Sequence, residues 1–303
     1  MNTETLLDQL RTKLLEGGIL GSFTARNLAT GQQISLDPDR VFPAASLVKV
    51  PLALATMQRI IDGEIKGNTR VDVSPGRLTI PGPTGLSRFR HPATIAIDDL
   101  LYLSVSVSDN SATDALLQIT PPEHVTWLMR ELNLGGIILR HGLGELADTA
   151  EARLRPEERY LAHHLAIESV NRATGPLLSQ LDPARANTGT AEAFTNLLNE
   201  IWRPTRIHEA AAQRLRQLMN ANVLRHRLAP EFDTDATVWS SKTGTLLNLR
   251  HEIGVAQHRN GHTIAVTALT ESTTAAANQP AAEELIAHVA RQLHNHVRAL
   301  QDF

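Results

Sequence analysis

Cysteine is absent from the 303-residue chain. That excludes disulfides, thiol catalysis and metal sites built on thiolates, and it leaves the redox compartment open. Lysine is nearly as scarce, with Lys13, Lys49, Lys66 and Lys242 the four in the sequence. No stretch is apolar over the length that a membrane span needs. The opening segment mixes acids and bases and lacks the basic start and apolar run of an export signal, which predicts a cytoplasmic protein. A large charge of either sign is missing too. The formal net charge of −3 implies no bulk attraction to nucleic acid or an anionic membrane, and the arginines alternate with acidic residues instead of forming a basic block. Neither an internal repeat nor a low-complexity segment is found. What remains is an ordinary globular composition, 42% apolar and 20% charged, on a chain long enough for one large domain or two modest ones.

Hydrophobic spacing predicts a helix over residues 2–16, where Leu6, Leu7, Leu10 and Leu14 recur at helical intervals before Gly17–Gly18. Residues 19–27 and 32–36 read as two strands joined in hairpin fashion around Asn27–Gly31. A long apolar helix follows from Leu47 to Ile61 and stops at Asp62–Gly63. Residues 74–92, with Pro75, Pro81, Pro83 and Pro92 and three glycines, read as loop. Helical patterns are expected at about 97–105, 109–119, 121–133, 156–170, 190–202 and 208–221. Residues 237–243, 249–258 and 262–270 change to the strand pattern, and a last helix covers about 280–299 after Pro280. Strands at both ends with helices between them predict an α/β (α+β) fold. Its sheet is built from both termini, as domain 1–44 plus 223–303, around an inserted helical domain, 45–222.

Three short motifs carry the chemistry. Ser46-Leu47-Val48-Lys49 opens a helix, and a spacing of three puts hydroxyl and amine on one face. A serine is a weak nucleophile until a base takes its proton, and a lysine serves as that base only if burial or a neighbouring cation lowers its pKa. A helix start also aims backbone N–H groups at a developing oxyanion. Ser108-Asp109-Asn110 stands at the start of another helix, where a capping serine is the ordinary alternative. Lys242-Thr243-Gly244-Thr245 closes an expected strand, placing a cation and backbone donors where an anionic substrate group could meet them. Each motif alone is weak. That two of only four lysines fall inside them makes coincidence a poor explanation.

Together the three motifs resemble those of class A β-lactamases and penicillin-binding proteins. The flanking residues extend the resemblance over most of the chain. Phe42-Pro43-Ala44-Ala45-Ser46 is similar to that family's approach to its nucleophile, and Thr84-Gly85-Leu86 precedes the second motif as it does there. Residues 108–117 and the run Arg250-His251-Glu252-Ile253-Gly254-Val255-Ala256 are similar to the family's second-motif helix and the strand after its third motif. The resemblance implies that Ser46 attacks a carbonyl with Lys49 as base or proton relay. Ser108 would pass a proton toward the leaving group, and Asn110 would orient the substrate and Lys49. Lys242 would supply positive potential. Thr243 and Thr245, flanking Gly244, would bind a substrate carboxylate. The N–H groups of Ser46 and Thr245 would form the oxyanion hole.

The family's deacylating Glu-x-x-Leu-Asn pattern is not found before the helix that starts near Thr190. Glu168, with Asn171 three residues on, is the candidate deacylation base beside the pair Glu157 and Glu158, and an ordinary exposed helix glutamate is the competing reading. In this departure the chain resembles the β-lactamase-like esterase associated with clavulanic acid biosynthesis. A β-lactam, an ester or a thioester is the expected small-molecule substrate. A true β-lactamase, a D-alanyl-D-alanine carboxypeptidase, a pathway transacylase and a ligand-binding protein on a decayed scaffold stay open. Among the thirteen histidines, His163–His164, His288, His294 and His296 lack a strong metal-ligand spacing, and His208–Glu209 lacks a second histidine. No metal and no cofactor are expected.

Overall fold

The computed structural model describes residues 2–74, 84–143, 161–170 and 181–300. Most of the Pro- and Gly-rich loop, the start of the helix expected at 156, and Glu157, Glu158 and Asn171 lie outside the described residues. The chain begins with α1 (Thr3–Glu16), capped by the Asn2 carboxamide accepting from Glu4 N, with Leu6, Leu10 and Leu14 buried as one stripe. Two strands follow, β1 (Ile19–Asn27) and β2 (Gln33–Leu36), as expected.

Three long strands near the C-terminus, β7 (Thr237–Leu246), β8 (Leu249–His258) and β9 (Thr263–Ser272), complete a five-stranded antiparallel sheet in the order β2-β1-β9-β8-β7. The chain's two ends meet at the β1–β9 pair, where Phe23 opposes Ala268. β8 is buried from Leu249 to Ala256 without alternation, because helices cover both faces of the sheet. On one face α1 packs with α10 (Pro280–Ala299), whose Ile286, Val289, Ala290, Leu293 and Val297 join Phe23, Trp239 and Val266. The other face meets α7 (Ala191–Trp202), which packs on β9 and β1. Its Phe194, Leu197 and Leu198 share a larger apolar cluster with Leu52, Leu54, Leu100, Leu116, Ile253 and Leu269.

The intervening elements are α2 (Lys49–Ile61), β4 (Arg70–Val73), β5 (Ala93–Ala96), α3 (Ile97–Val105), α4 (Asn110–Ile119), α5 (Pro122–Glu131), α6 (Leu161–Val170), α8 (Glu209–Asn220) and the short α9 (Ala229–Phe232). A further pair, β3 (Phe42–Pro43) with β6 (Thr188–Gly189), has only two residues per strand. Neither this pair nor β4–β5 was anticipated; a strand of two residues offers no alternation to read, and the four-residue β4 and β5 flank a Pro- and Gly-rich stretch that reads as loop. Among the described residues no helix is long and apolar enough to cross a membrane.

Leu293 is 1% exposed, between α10 and the sheet. Leu293→Ala is expected to cost about 2–5 kcal/mol, read as a lower midpoint in chemical denaturation; an unchanged midpoint would mean that this face is not packed as described.

Candidate active site

The nucleophile candidate stands on a tight 3-10 turn, Ala45–Val48, from which α2 continues at Lys49. The expected single helix is thus two pieces, and Ala45 adopts φ 47° to make the entry, a region that costs a non-glycine residue energy unless its surroundings enforce it. The enforcement is visible on both sides of the approach. Phe42–Pro43 pairs with Thr188–Gly189, and Ala44 N donates to Asn187 O at 2.7 Å. Fully buried His251 holds the Pro43 carbonyl at 2.9 Å from its Nε2 and receives the Thr270 N–H at Nδ1. That pair of bonds defines a neutral ring protonated at Nε2, in accord with burial lowering the His251 pKa to about 3.

Lys49 is fully buried. Its Nζ donates to Ser108 O at 2.8 Å, Ser108 Oγ at 3.2 Å and Asn110 Oδ1 at 2.7 Å. Desolvation brings its pKa down to about 7, against the opposing pull of Asp109 and Asp114. Near neutral pH the amine is therefore poised between donor and base, which an exposed lysine is not.

Ser108 has φ 62°, and its hydroxyl also accepts from Lys242 Nζ at 2.9 Å. One serine oxygen therefore lies between two buried amines. Lys242 is pushed well below the usual lysine range by desolvation first and then by the Lys49 and Arg227 charges, with Glu252 opposing. The cap of α4 is Asp109 and not Ser108, contrary to the capping alternative for that serine. The Asp109 carboxylate accepts Ser111 N at 2.9 Å and Ala112 N at 3.3 Å, and it also takes the Leu86 and Ser87 amides. One buried carboxylate thereby ties the Thr84–Ser87 turn to the start of α4. Gly85 adopts φ +69°, and a Cβ there would meet Asp109 Oδ2 at 2.2 Å.

Lys242, Thr243, Gly244 and Thr245 lie within β7 and not at its end, because pairing continues through Gly244↔His251, Thr245↔Arg250 and Leu246↔Leu249. The glycine that reads as a strand stop is needed for close approach: a Cβ would stand 3.1 Å from Leu47 Cγ and 3.3 Å from Ala44 O. It lets β7 lie directly against the turn that carries Ser46.

A cavity of about 700 Å³ opens here, lined by Ser46, Ser108, Asn110, Thr243 and Thr245, and also by Arg227, Arg250 and Glu283. Thr243 Oγ1 is buried without a hydrogen-bond partner among the described residues. Arg227 and Glu283 escaped the sequence reading, since no motif links a loop arginine to the first turn of the last helix. Glu168 does not line the cavity among the residues described there. It sits on α6 with its carboxylate 3.3 Å from His164 Nε2 and a side chain 42% exposed. Among the described residues no cluster of three or more metal-ligating side chains occurs.

The sheet order, the helical cover and this convergence of serines and lysines define a β-lactamase-like protein. The chain belongs to the Beta-lactamase enzyme family, whose model matches residues 7–297. It is 53% identical to the Beta-lactamase regulatory protein BlaB of Streptomyces cacaoi, over 98% of this chain and 99% of that one. Among solved structures, a beta-lactamase from Sphaerobacter thermophilus superposes with a TM-score of 0.77 at 19% identity, covering 99% of both chains. An ancestral class A beta-lactamase superposes at 0.75 and 22% identity, covering 96% of this chain and 99% of that one. These likenesses bear out the expected family and fold.

Asp109→Asn replaces one carboxylate oxygen by an NH₂ facing backbone donors. It is expected to lower the unfolding free energy by about 1–3 kcal/mol, measured by chemical denaturation; a stability equal to wild type would remove Asp109 as the organiser of this site.

Proposed function

We propose that the chain is a serine acyl hydrolase that forms an acyl-enzyme on Ser46 from a small β-lactam, ester or thioester. The observation that carries this reading is the buried Lys49 amine, with a pKa near 7 and hydrogen bonds to Ser108 and Asn110. In this reading neutral Lys49 takes the Ser46 proton as the hydroxyl attacks. Ser108, between Lys49 and Lys242, relays a proton to the leaving group. Asn110 orients Lys49 and the acyl side of the substrate. Lys242 supplies positive potential to Ser108 in its charged form. The Ser46 and Thr245 amides receive the oxyanion, a device worth roughly 3 kcal/mol of barrier per donor. Thr243 and Thr245 meet the group by which the substrate is held, and Gly244 keeps the strand close to the nucleophile. A cavity of about 700 Å³ fits a small molecule. It lies between the two proposed units, 1–44 plus 223–303 and 45–222, each of which contributes lining residues.

Deacylation is proposed to be slow. Among the described residues the carboxylates lining the cavity are Glu231, Glu283 and Glu284. Glu283 is committed to Arg227, and Glu231 lies 3.9 Å from Arg291. Glu168, turned toward His164, offers little support for a water-activating role. A second reading takes its support from the name of the Streptomyces cacaoi relative, a regulatory protein: a long-lived acyl-Ser46 would then serve as a signal that an acyl donor is present. A pathway transacylase, a D-alanyl-D-alanine carboxypeptidase and a non-enzymatic binding protein remain as competing readings.

The intact mass followed over time with a penicillin, a cephalosporin and a simple activated ester separates these readings. Wild type is expected to gain a lasting acyl adduct and Ser46→Ala none; an adduct that persists on Ser46→Ala would overturn the nucleophile assignment, and rapid product release without an adduct would overturn slow deacylation. The acylation rate is also expected to depend on pH through Lys49. Its folded pKa is about 7, so the neutral base gains population as pH rises. The rate should climb about ten-fold per pH unit below 7 and level off above it. A rate that is flat between pH 5.5 and 8.5, or that falls with rising pH, would exclude Lys49 as the base.

A further inference from the structure

Two arginines line the cavity, and the chain itself uses every donor of one and both terminal nitrogens of the other. Arg227 is 1% exposed. Its Nη1 donates to the carbonyls of Gly244 and His251. Its Nη2 donates to Thr245 Oγ1 at 3.1 Å and to Glu283 Oε1 at 3.0 Å, while its Nε donates to Glu283 Oε2. A guanidinium has five N–H groups in a fixed fork, and all five are taken. Arg250, also 1% exposed, gives its Nη1 to the Leu247 and Leu249 carbonyls and its Nη2 to those of Ala276 and Ala277. Its Nε faces Glu283 Oε1 at 3.5 Å. One carboxylate from the first turn of α10 thus sits between both guanidinium groups. It fills the edge, Nε with Nη2, from which Arg227 could grip an incoming anion in bidentate fashion, while Arg250 has only its Nε turned that way.

What the cavity leaves available for the held end of a substrate is of another kind. Thr245 is exposed and accepts from Arg227, so its own hydroxyl proton is left to donate. Thr243 Oγ1 has no partner among the described residues. Hydroxyls of this sort suit an ester, amide or other uncharged acceptor. An anion entering the cavity also meets the carboxylates of Glu231, Glu283 and Glu284 in its lining. Resting on the acyl-enzyme reading above, we infer that Glu283 is a specificity-determining residue that closes Arg227 to carboxylates and selects acyl donors whose held end is uncharged or cationic. This departs from the substrate carboxylate that the family resemblance implies for Thr243 and Thr245.

The test is equilibrium binding of benzylpenicillin and of its methyl ester, by calorimetry, to the full chain carrying Ser46→Ala so that both ligands stay intact. The same chain with Glu283→Gln, and separately with Glu284→Gln, completes the set. Ser46→Ala alone is expected to bind the ester more tightly than the acid. Adding Glu283→Gln frees arginine donors and should move the acid-to-ester affinity ratio at least about ten-fold toward the acid, the equivalent of one charge-assisted hydrogen bond. Adding Glu284→Gln removes the same formal charge from an exposed position on that turn and should move the ratio far less. An acid bound as tightly as the ester by Ser46→Ala overturns the inference, and that comparison needs no substitution at Glu283. An equal shift from Glu284→Gln, or binding of neither ligand to any of the chains, also overturns it. The acyl-enzyme reading fails separately, by the absence of any adduct on Ser46 in the wild-type chain, which these binding measurements do not involve.

Discussion

Burying Lys49 is the constraint around which the rest of the structure is arranged. An ammonium removed from water loses several kcal/mol of solvation, so it either finds acceptors or gives up its proton. Here it finds three, Ser108 O, Ser108 Oγ and Asn110 Oδ1, and still retains a pKa near 7. Those acceptors stay in place only because Asp109 anchors the start of α4 and holds the Thr84–Ser87 turn against it. Ser108 is held in a left-handed conformation between Lys49 and a second buried lysine from β7.

The sheet supplies the other half of that arrangement. β7 can lie against the Ser46 turn because Gly244 has no side chain, and β8 sends His251 across to the Pro43 carbonyl. A histidine that accepts a backbone N–H at one nitrogen and donates from the other stays neutral through the physiological range, so it serves as a rigid spacer and brings no charge to the site. The strained entry at Ala45 is affordable because both neighbouring strands and this ring hold it. Family membership and fold follow from this framework.

Much of the molecule was legible in its residues. The leucine stripe of α1, the long C-terminal strands and the last helix follow local periodicity, which survives folding because one face of each is buried. Ser46, Lys49, Ser108, Asn110, Lys242, Thr243 and Thr245 were singled out as short motifs; Ser46, Ser108, Asn110, Thr243 and Thr245 line one cavity, and the two buried lysines reach it through Ser108. The misreading has a local cause. Gly244 read as a strand end because local rules give a glycine there its commonest job, whereas here it is placed by close contact with the Ser46 turn. The two-residue strands at Phe42 and Thr188 left no periodic trace at all.

The sequence by itself therefore determined the order of the long elements, the family and the motif residues of the site, since these depend on residue identity and on near-neighbour spacing. Tertiary structure alone decided the state of those groups. Lys49 becomes a potential base only when α4 and β7 exclude water from it. Arg227 and Glu283 stand 56 residues apart, and neither announces the other. Desolvation and donor saturation are properties of a closed volume, and no stretch of chain encloses one by itself.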